Sequence, residues 1–413
     1  MRHLFSNIWI FDGTGTPRFQ GEVLVDGDRI AAVARLGADP ALPRDGAILV
    51  DGGGATLMPG LVEAHGHLTW PSSTERIIHH FELPPEEMML AAARNARVVL
   101  DHGFTSVYSA GALGERVEVV LRDEIKGGHL PGPRLRASTI ERSPPGADGV
   151  ETGHVDHGRG PEAMRGFIDH CKGLGIDSVK LLLSGEDALL PGSSQHILYT
   201  DAEVQAACQR AREQGLWVNA HTQASDAVKM GLRHGVRVLY HCTYADEEAV
   251  DLLEAAKADI FMAPAIGIIV ATLEAKPPPH IDMSSMKESA KPVIERATRL
   301  IPELKKRGVR VLPGGDYGFP FNPNGRNGRD LEHFVNLFGY SPAEALAAAT
   351  GLGGQIMDME LGLVRAGYLA DLLLVTGDPT QDVRLLQDKN NLAAIMLGGR
   401  FHKQPAALRA VAA

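Results

Sequence analysis

Thr200 to His221 reads TDAEVQAACQRAREQGLWVNAH. Thr200 or Asp201 supplies an N-cap, Asp201 to Glu213 carries a helical pattern, and Gly215 suits the left-handed position that closes a helix. Leu216-Trp217-Val218-Asn219-Ala220 then reads as a strand, with His221 at its end. The same unit recurs on both sides. Glu86 to Asp101 is helical, Gly103 stops it, and Phe104 to Tyr108 is a strand. Pro161 to Lys172 leads through Gly173 and Gly175 to Val179–Leu183, and Ser225 to Arg233 leads through Gly235 to Val236–Tyr240. A long helix ends near Arg307, followed by Gly308 and Val309–Leu312. Strands alternating with helices imply a parallel sheet. Eight strands are expected, starting near Thr56, Phe104, Arg134, Asp177, Leu216, Val236, Asp259 and Val309. That number fits an α/β chain closed into a (β/α)8 TIM barrel better than an open sheet, and in such barrels the chemistry lies at the C-terminal ends of the strands.

The chain ends differ from this middle. Gly21 to Val25, Asp26-Gly27-Asp28 and Arg29 to Val33 read as strand, turn and strand, with Asp-Gly as the hairpin signal. Leu369 to Val375 and Leu392 to Leu397 read as strands flanking the turn Gly377-Asp378-Pro379. Residues 1–56 and 359–413 are therefore expected to form one small β-sandwich domain, with the barrel, residues 57–358, inserted between its parts.

The 413 residues are 44% hydrophobic and 22% charged, which suits a large core. One barrel of roughly 250 residues absorbs much of this length. A formal net charge of −10 argues against a nucleic-acid partner, because neutralising phosphates requires a basic surface. No apolar stretch reaches the roughly 18–20 residues of a membrane span. The start MRHLFSNIWIFDG lacks the apolar segment of a signal peptide. Cys171, Cys208 and Cys242 are too few and too scattered for a disulfide framework. A cytoplasmic protein with a small-molecule substrate, and with neither a membrane nor a nucleic-acid partner, is the expectation.

Polar residues gather where the expected strands end. The first closes on Pro59-Gly60-Leu61-Val62-Glu63-Ala64-His65-Gly66-His67. Residues i and i+2 on a strand share a face, so both imidazoles point the same way. His221 ends strand five, His241 ends strand six, and Asp316 ends strand eight in Leu312-Pro313-Gly314-Gly315-Asp316. Imidazole and carboxylate are ligands of Zn, Mn or Co. Taken singly, each is equally read as a solvated terminal side chain. Lys180 lies within the apolar strand Ser178-Val179-Lys180-Leu181-Leu182-Leu183. Burial lowers a lysine pKa and leaves more free amine. A free amine adds CO2 to give a carbamate, whose two oxygens can bridge two cations. The competing reading has Lys180 reach solvent or pair with an acid such as Glu186.

His65, His67, Lys180, His221, His241 and Asp316, in that order, resemble the ligand set of the binuclear amidohydrolase superfamily. The Pro59-Gly60 segment leading to His65, and Gly367 to Val375 near the far end, also resemble its motifs, although Tyr368 stands where a basic residue is usual. Gly132-Pro133-Arg134, Gly153-His154 and Tyr199 to Glu203 look similar to the branch holding imidazolonepropionase-like proteins, Xaa-Pro dipeptidases and ochratoxin-type amidases. The chain departs from that branch at Ser106-Val107-Tyr108-Ser109, at Glu151-Thr152-Gly153-His154 and at Thr222-Gln223-Ala224-Ser225. These departures weaken a dipeptide substrate and leave room for an N-acyl amino acid, aryl amide, carbamate or urea.

The resemblance implies two divalent metal ions, zinc first with manganese or cobalt as alternatives, and a CO2-derived carbamate on Lys180. His65, His67 and Asp316 would hold the first ion, and His221 and His241 the second. A hydroxide between the ions would attack the carbonyl, with Asp316 as general acid and base. His154 would stabilise the oxyanion, with His157 as a rival for that role, and Tyr108, Tyr244 and Tyr317 would line the pocket. Phe319-Pro320-Phe321 suggests an apolar wall. Gly325 to Arg329 reads as a mobile segment able to close over the site, where Arg326 or Arg329 would either bind a carboxylate or remain solvated. A homo-oligomer is implied by resemblance alone. Alternatives on the same metal barrel are a lactonase, a cyclic imide hydrolase or a deaminase, although a strand-four lysine argues against the last. A scaffold without activity is the other class.

Overall fold

The computed structural model describes residues 1–72, 83–144, 158–187, 190, 192–406 and 408–410. Strands from both chain ends share one nine-stranded sheet. Its strands are β1 (Arg2–Ile10), β2 (Phe19–Asp26), β3 (Arg29–Arg35), β4 (Ala47–Asp51) and β5 (Thr56–Pro59). After a long interval come β13 (Leu372–Val375), β14 (Leu392–Leu397), β15 (Arg400–Lys403) and β16 (Leu408–Ala410). The main order is β15-β14-β13-β5-β1-β2-β3, with β4 beside β1 and β16. β2 and β3 are antiparallel across Gly27-Asp28, where Gly27 takes φ +62°. Phe5, Ile8, Ile10, Val25, Leu57, Leu372, Leu374 and Met396 form the buried cluster of this sheet.

Between these ends, short parallel strands alternate with helices. They are β6 (Leu61–Gly66), β7 (Phe104–Ser109), β8 (Arg134–Arg136), β9 (Ser178–Leu182), β10 (Trp217–Thr222), β11 (Val238–His241) and β12 (Phe261–Ala263). β6-β7-β8 form one parallel sheet and β9 to β12 another. Isolated parallel bridges lie in the gaps: Ala112 with Ile140, Arg142 with Leu181, Met262 with Val311, and Gly66 with Tyr317. The helix before β10 runs Asp201–Gln214 and is capped by Thr200, whose hydroxyl and Glu203 form a reciprocal capping box; Gly215 ends it at φ +69°. Among the described residues, no helix is long and apolar enough to cross a membrane.

Two expected strands differ. The strand anticipated from Thr56 is two strands. Thr56–Pro59 pairs with Leu372–Val375 in the large sheet, while Leu61–Gly66 pairs with Phe104–Ser109. Gly60 is the crossing point: its N–H donates to Asp371 O, and the next N–H, of Leu61, donates to Gly103 O. The eighth strand, expected at Val309–Leu312, survives only as the Val311 bridge. Pro313 has no N–H to extend the pairing, and Gly314-Gly315 turns the chain toward the site.

A side chain at Gly60 would strike the Thr105 side chain. Gly60→Ala should therefore lower stability by about 1–3 kcal/mol, the usual cost of overpacking. A thermal scan with an unchanged midpoint would contradict this account of the crossing.

Candidate metal centre

The strand ends bring the expected ligands together. β6 presents His65 and His67, both buried. The Asp316 carboxylate lies 3.0 Å from His67 Nε2 and 3.6 Å from His65 Nε2. On the opposite side, the rings of His221 and His241 lie 4.4 Å apart, and the rings of His65 and His241 are 5.4 Å apart. His241 and Asp316 both have left-handed backbones, at φ +70° and +59°. Such conformations cost on the order of 1–3 kcal/mol for residues other than glycine and gather at functional sites.

Two backbone carbonyls set the tautomers. His67 Nδ1 donates to Gly111 O at 2.9 Å, so Nε2, which faces Asp316, is the nitrogen left to ligate once it gives up its proton. His221 Nε2 donates to Gly185 O at 3.1 Å, which leaves Nδ1 free to ligate. This is the usual means by which an outer partner fixes a ligating imidazole. His65 stacks on Tyr240, their ring centroids 3.9 Å apart, and its buried Nδ1 has no hydrogen-bond partner.

Lys180 projects into the middle of this group. It is 1% exposed, so it does not reach solvent. Its Nζ donates to Ala110 O at 2.8 Å and lies 4.5 Å from the Tyr240 ring centroid. The acid beside it, at 3.9 Å, is Glu141 rather than Glu186. Burial pulls the ammonium below its ordinary pKa, while Glu141 and Asp316 pull the other way. The charge of Lys180 in turn acts on all four histidines. Burial, then Lys180, pushes His65 well below the usual range and His221 down to about 4. Burial, then His221 and Lys180, does the same to His241. His67 differs: burial pulls it down, but the hydrogen bond and charge of Asp316, with Glu141, outweigh that and hold it above its ordinary value.

The donor set suits a hard or borderline divalent cation. The ligating atoms of His65, His67 and Asp316 lie within 4.8 Å of one another, as do those of Glu186, His221 and His241. Glu186 is the addition: its Oε2 accepts from Gln223 Nε2 at 2.6 Å and lies 3.8 Å from His221 Nε2. Glu141 is a second acid at the cluster, with its Oε1 3.6 Å from His67 Nδ1. Both stand on loops after strands, where no sequence period fixes a side-chain direction.

Other expected site residues fall elsewhere. Tyr108 is fully buried in the strand interior, its ring centroid 6.3 Å from that of Trp217, so it packs rather than lining an open pocket. Tyr317 is also buried, and its hydroxyl donates to Asp330 Oδ1 at 3.3 Å. Tyr244 is half-buried beneath the guanidinium of Arg296. His154 and His157 lie outside the described residues. Phe319 does supply an apolar wall, stacked on Trp70 at 5.3 Å and 5.9 Å from the His67 ring. Arg329 pairs with Glu274 and Arg326 donates to Phe321 O, so both are engaged in local contacts.

A model of the amidohydrolase family matches residues 56–401. The chain belongs to that family. As a member it is a hydrolase acting on carbon–nitrogen bonds. Ochratoxinase of Aspergillus niger is 22% identical over 380 residues, covering 84% of this chain and 76% of the relative. Its crystal structure superposes with a TM-score of 0.83 at 20% identity, covering 98% of this chain and 96% of that one. A Xaa-Pro dipeptidase structure gives 0.84 at 23% identity, covering 98% and 100%. Phenylurea hydrolase B gives 0.74 at 20% identity, covering 97% and 96%. At these identities the solved structures establish a shared fold.

In metal-free protein the His221 ring should remain neutral on acidification until about pH 4. Ring carbon shifts followed by NMR from pH 8 downward would check this. A midpoint near the ordinary value of about 6.5 would contradict the desolvated, lysine-flanked setting.

Proposed function

We propose that this chain hydrolyses an amide-type C–N bond at a centre of two divalent cations, within strands that close as a (β/α)8 barrel. The observation that carries the reading is Lys180, buried between the His65/His67/Asp316 group and the His221/His241 pair and acting electrostatically on all four imidazoles. His65, His67 and Asp316 would hold one cation, and His221 and His241, with Glu186 beside them, the other. Lys180 Nζ, as a neutral amine, would add CO2 and release a proton to give a carbamate that supplies a further anionic ligand, its retained N–H donating to Ala110 O, which lies 2.8 Å from Nζ.

When bound, such cations polarise a carbonyl and lower the pKa of a water. The remaining work falls to the chain. Asp316 stands beside both first-strand histidines with its side chain 13% exposed, so it can reach the reacting atoms. Its carboxylate accepts the proton of the attacking water and delivers it to the leaving nitrogen, which departs as a neutral amine. Trp70 and Phe319 bring an apolar surface to the edge of His67. That wall favours substrates with an aryl or other apolar group, such as an N-acyl amino acid, aryl amide, carbamate or urea. Ochratoxinase and phenylurea hydrolase, among the similar proteins, fit such a class by name.

The test is a turnover assay with Zn, Mn or Co on an aryl amide and on its ester or lactone analogue. Amide cleavage that stops on chelation supports the reading, and preference for the lactone overturns the amide assignment. Asp316→Asn should lower kcat by about 10²–10⁴-fold, the usual contribution of a placed acid–base group, while zinc remains at His221/His241. Retained turnover would remove Asp316 from the proton transfer.

A further inference from the structure

Gly325 to Arg329 reads in sequence as a mobile cover, but the segment from Asn322 to Asp330 that contains it turns four polar side chains inward. Asn322, Asn327 and Asp330 are almost fully buried, and Asn324 is 9% exposed. Each bonds to backbone or side chain next to a first-cation ligand. Asn322 Nδ2 donates to both Gly315 O and Asp316 O at 2.9 Å. Asn324 Nδ2 donates to His67 O at 3.1 Å. Asp330 Oδ2 accepts from Gly314 N at 2.9 Å. Asn327 Nδ2 donates to Glu63 Oε2 at 2.7 Å, and Glu63 Oε1 accepts from His65 N at 2.9 Å. Asn327 Oδ1 also accepts from Gly325 N at 3.0 Å, which fixes the orientation of its amide.

We propose that Asn322, Asn324, Asn327 and Asp330 form a clamp that sets the first cation site, acting through Glu63 and through the backbones that carry His65, His67 and Asp316. These are positioning residues. The proposal rests on the two-cation reading. The physical need is plain at Asp316, whose left-handed backbone persists only if its surroundings determine it. Asn322 holds the carbonyls on both sides of the Gly315–Asp316 link, and Asp330 holds the N–H one residue earlier. Glycine at 315 leaves room for this arrangement, since a Cβ there would press on the Tyr317 ring and the Asp330 carboxylate. Among the described residues, the side chains of this segment make no bond to His221 or His241, so the clamp acts on one site of the pair.

The Glu63–Asn327 bond allows a reversal test. Asn327→Asp removes the amide donor and sets a second carboxyl group against Glu63. Adding Glu63→Gln lets the new amide donate to the new carboxylate while its oxygen still accepts from His65 N. Zn²⁺ uptake by the full chain, titrated in competition with a chelator, reports both steps, and His65→Ala identifies which step belongs to the first site. Asn327→Asp should weaken the first step by about 10–100-fold, the range for outer partners of metal ligands. The second step should stay unchanged, which also shows that the variant is folded. The double variant should recover most of the loss, which a merely structural defect would not do. First-step binding as tight as in the parent, or a folded double variant no better than the single, overturns the clamp. If Asn327→Asp fails to fold, Asn324→Ala is read by the same selective loss of the first step. A parent chain that takes up no zinc overturns the two-cation reading itself, a result distinct from two intact steps that ignore Asn327.

Discussion

A lysine ammonium placed among imidazoles, out of contact with water, is an expensive arrangement. Lys180 has one carbonyl at hydrogen-bond distance and one carboxylate, Glu141, at 3.9 Å. Burial therefore works toward the neutral amine, and the neutral amine is the form that takes up CO2. The rest of the centre depends on this position. The register of β9 against β10 sets Asn219 beside Lys180 and His221 one step past Leu181. Lys180 and His221, two register steps apart on adjacent strands, thereby share a face. Had β9 slipped by one residue, Lys180 would face the outer helices.

The histidines carry the complementary constraint. Three of the four are held neutral by burial, so their lone pairs are available to a cation without proton competition near neutrality. Their orientation comes from backbone carbonyls in the loops, Gly111 O for His67 and Gly185 O for His221. Behind them lies a layer of buried acids that burial pushes upward: Glu63 to about 8 and Asp330 to about 7. These acids serve the backbone as acceptors more than they serve as charges.

Much of this was legible in the sequence, for identifiable reasons. The helix–glycine–strand unit around Gly215 carries its own caps, so Asp201–Gln214 and Trp217–Thr222 follow from local chemistry. His65, Lys180, His221 and His241 stand on strands, where period-two alternation decides direction. Loops have no such period. Glu141 and Glu186 are therefore not marked as cluster members by the sequence, and Gly325 to Arg329 reads as a mobile cover although Asn324, Asn327 and Asp330 in and around it bond inward. Tyr317 follows Asp316 directly in sequence, yet its ring is buried and its hydroxyl bonds to Asp330; Tyr108 packs in the interior beside Trp217. The split of the first strand at Gly60 was hidden because both halves are apolar, and only pairing with Leu372–Val375 separates them.

The central claim is that six side chains, from β6 and its end, from β9, β10 and β11, and from the segment after Val311, share two cations. X-ray diffraction at the zinc absorption edge, on crystals of the zinc-loaded chain, measures this directly. Two anomalous peaks are expected at about 2.0–2.2 Å from their ligands, one at His65, His67 and Asp316 and the other at His221 and His241, with added density extending Lys180 Nζ between them. Peaks remote from these residues, or an unmodified Lys180 turned away from a single ion, would contradict it.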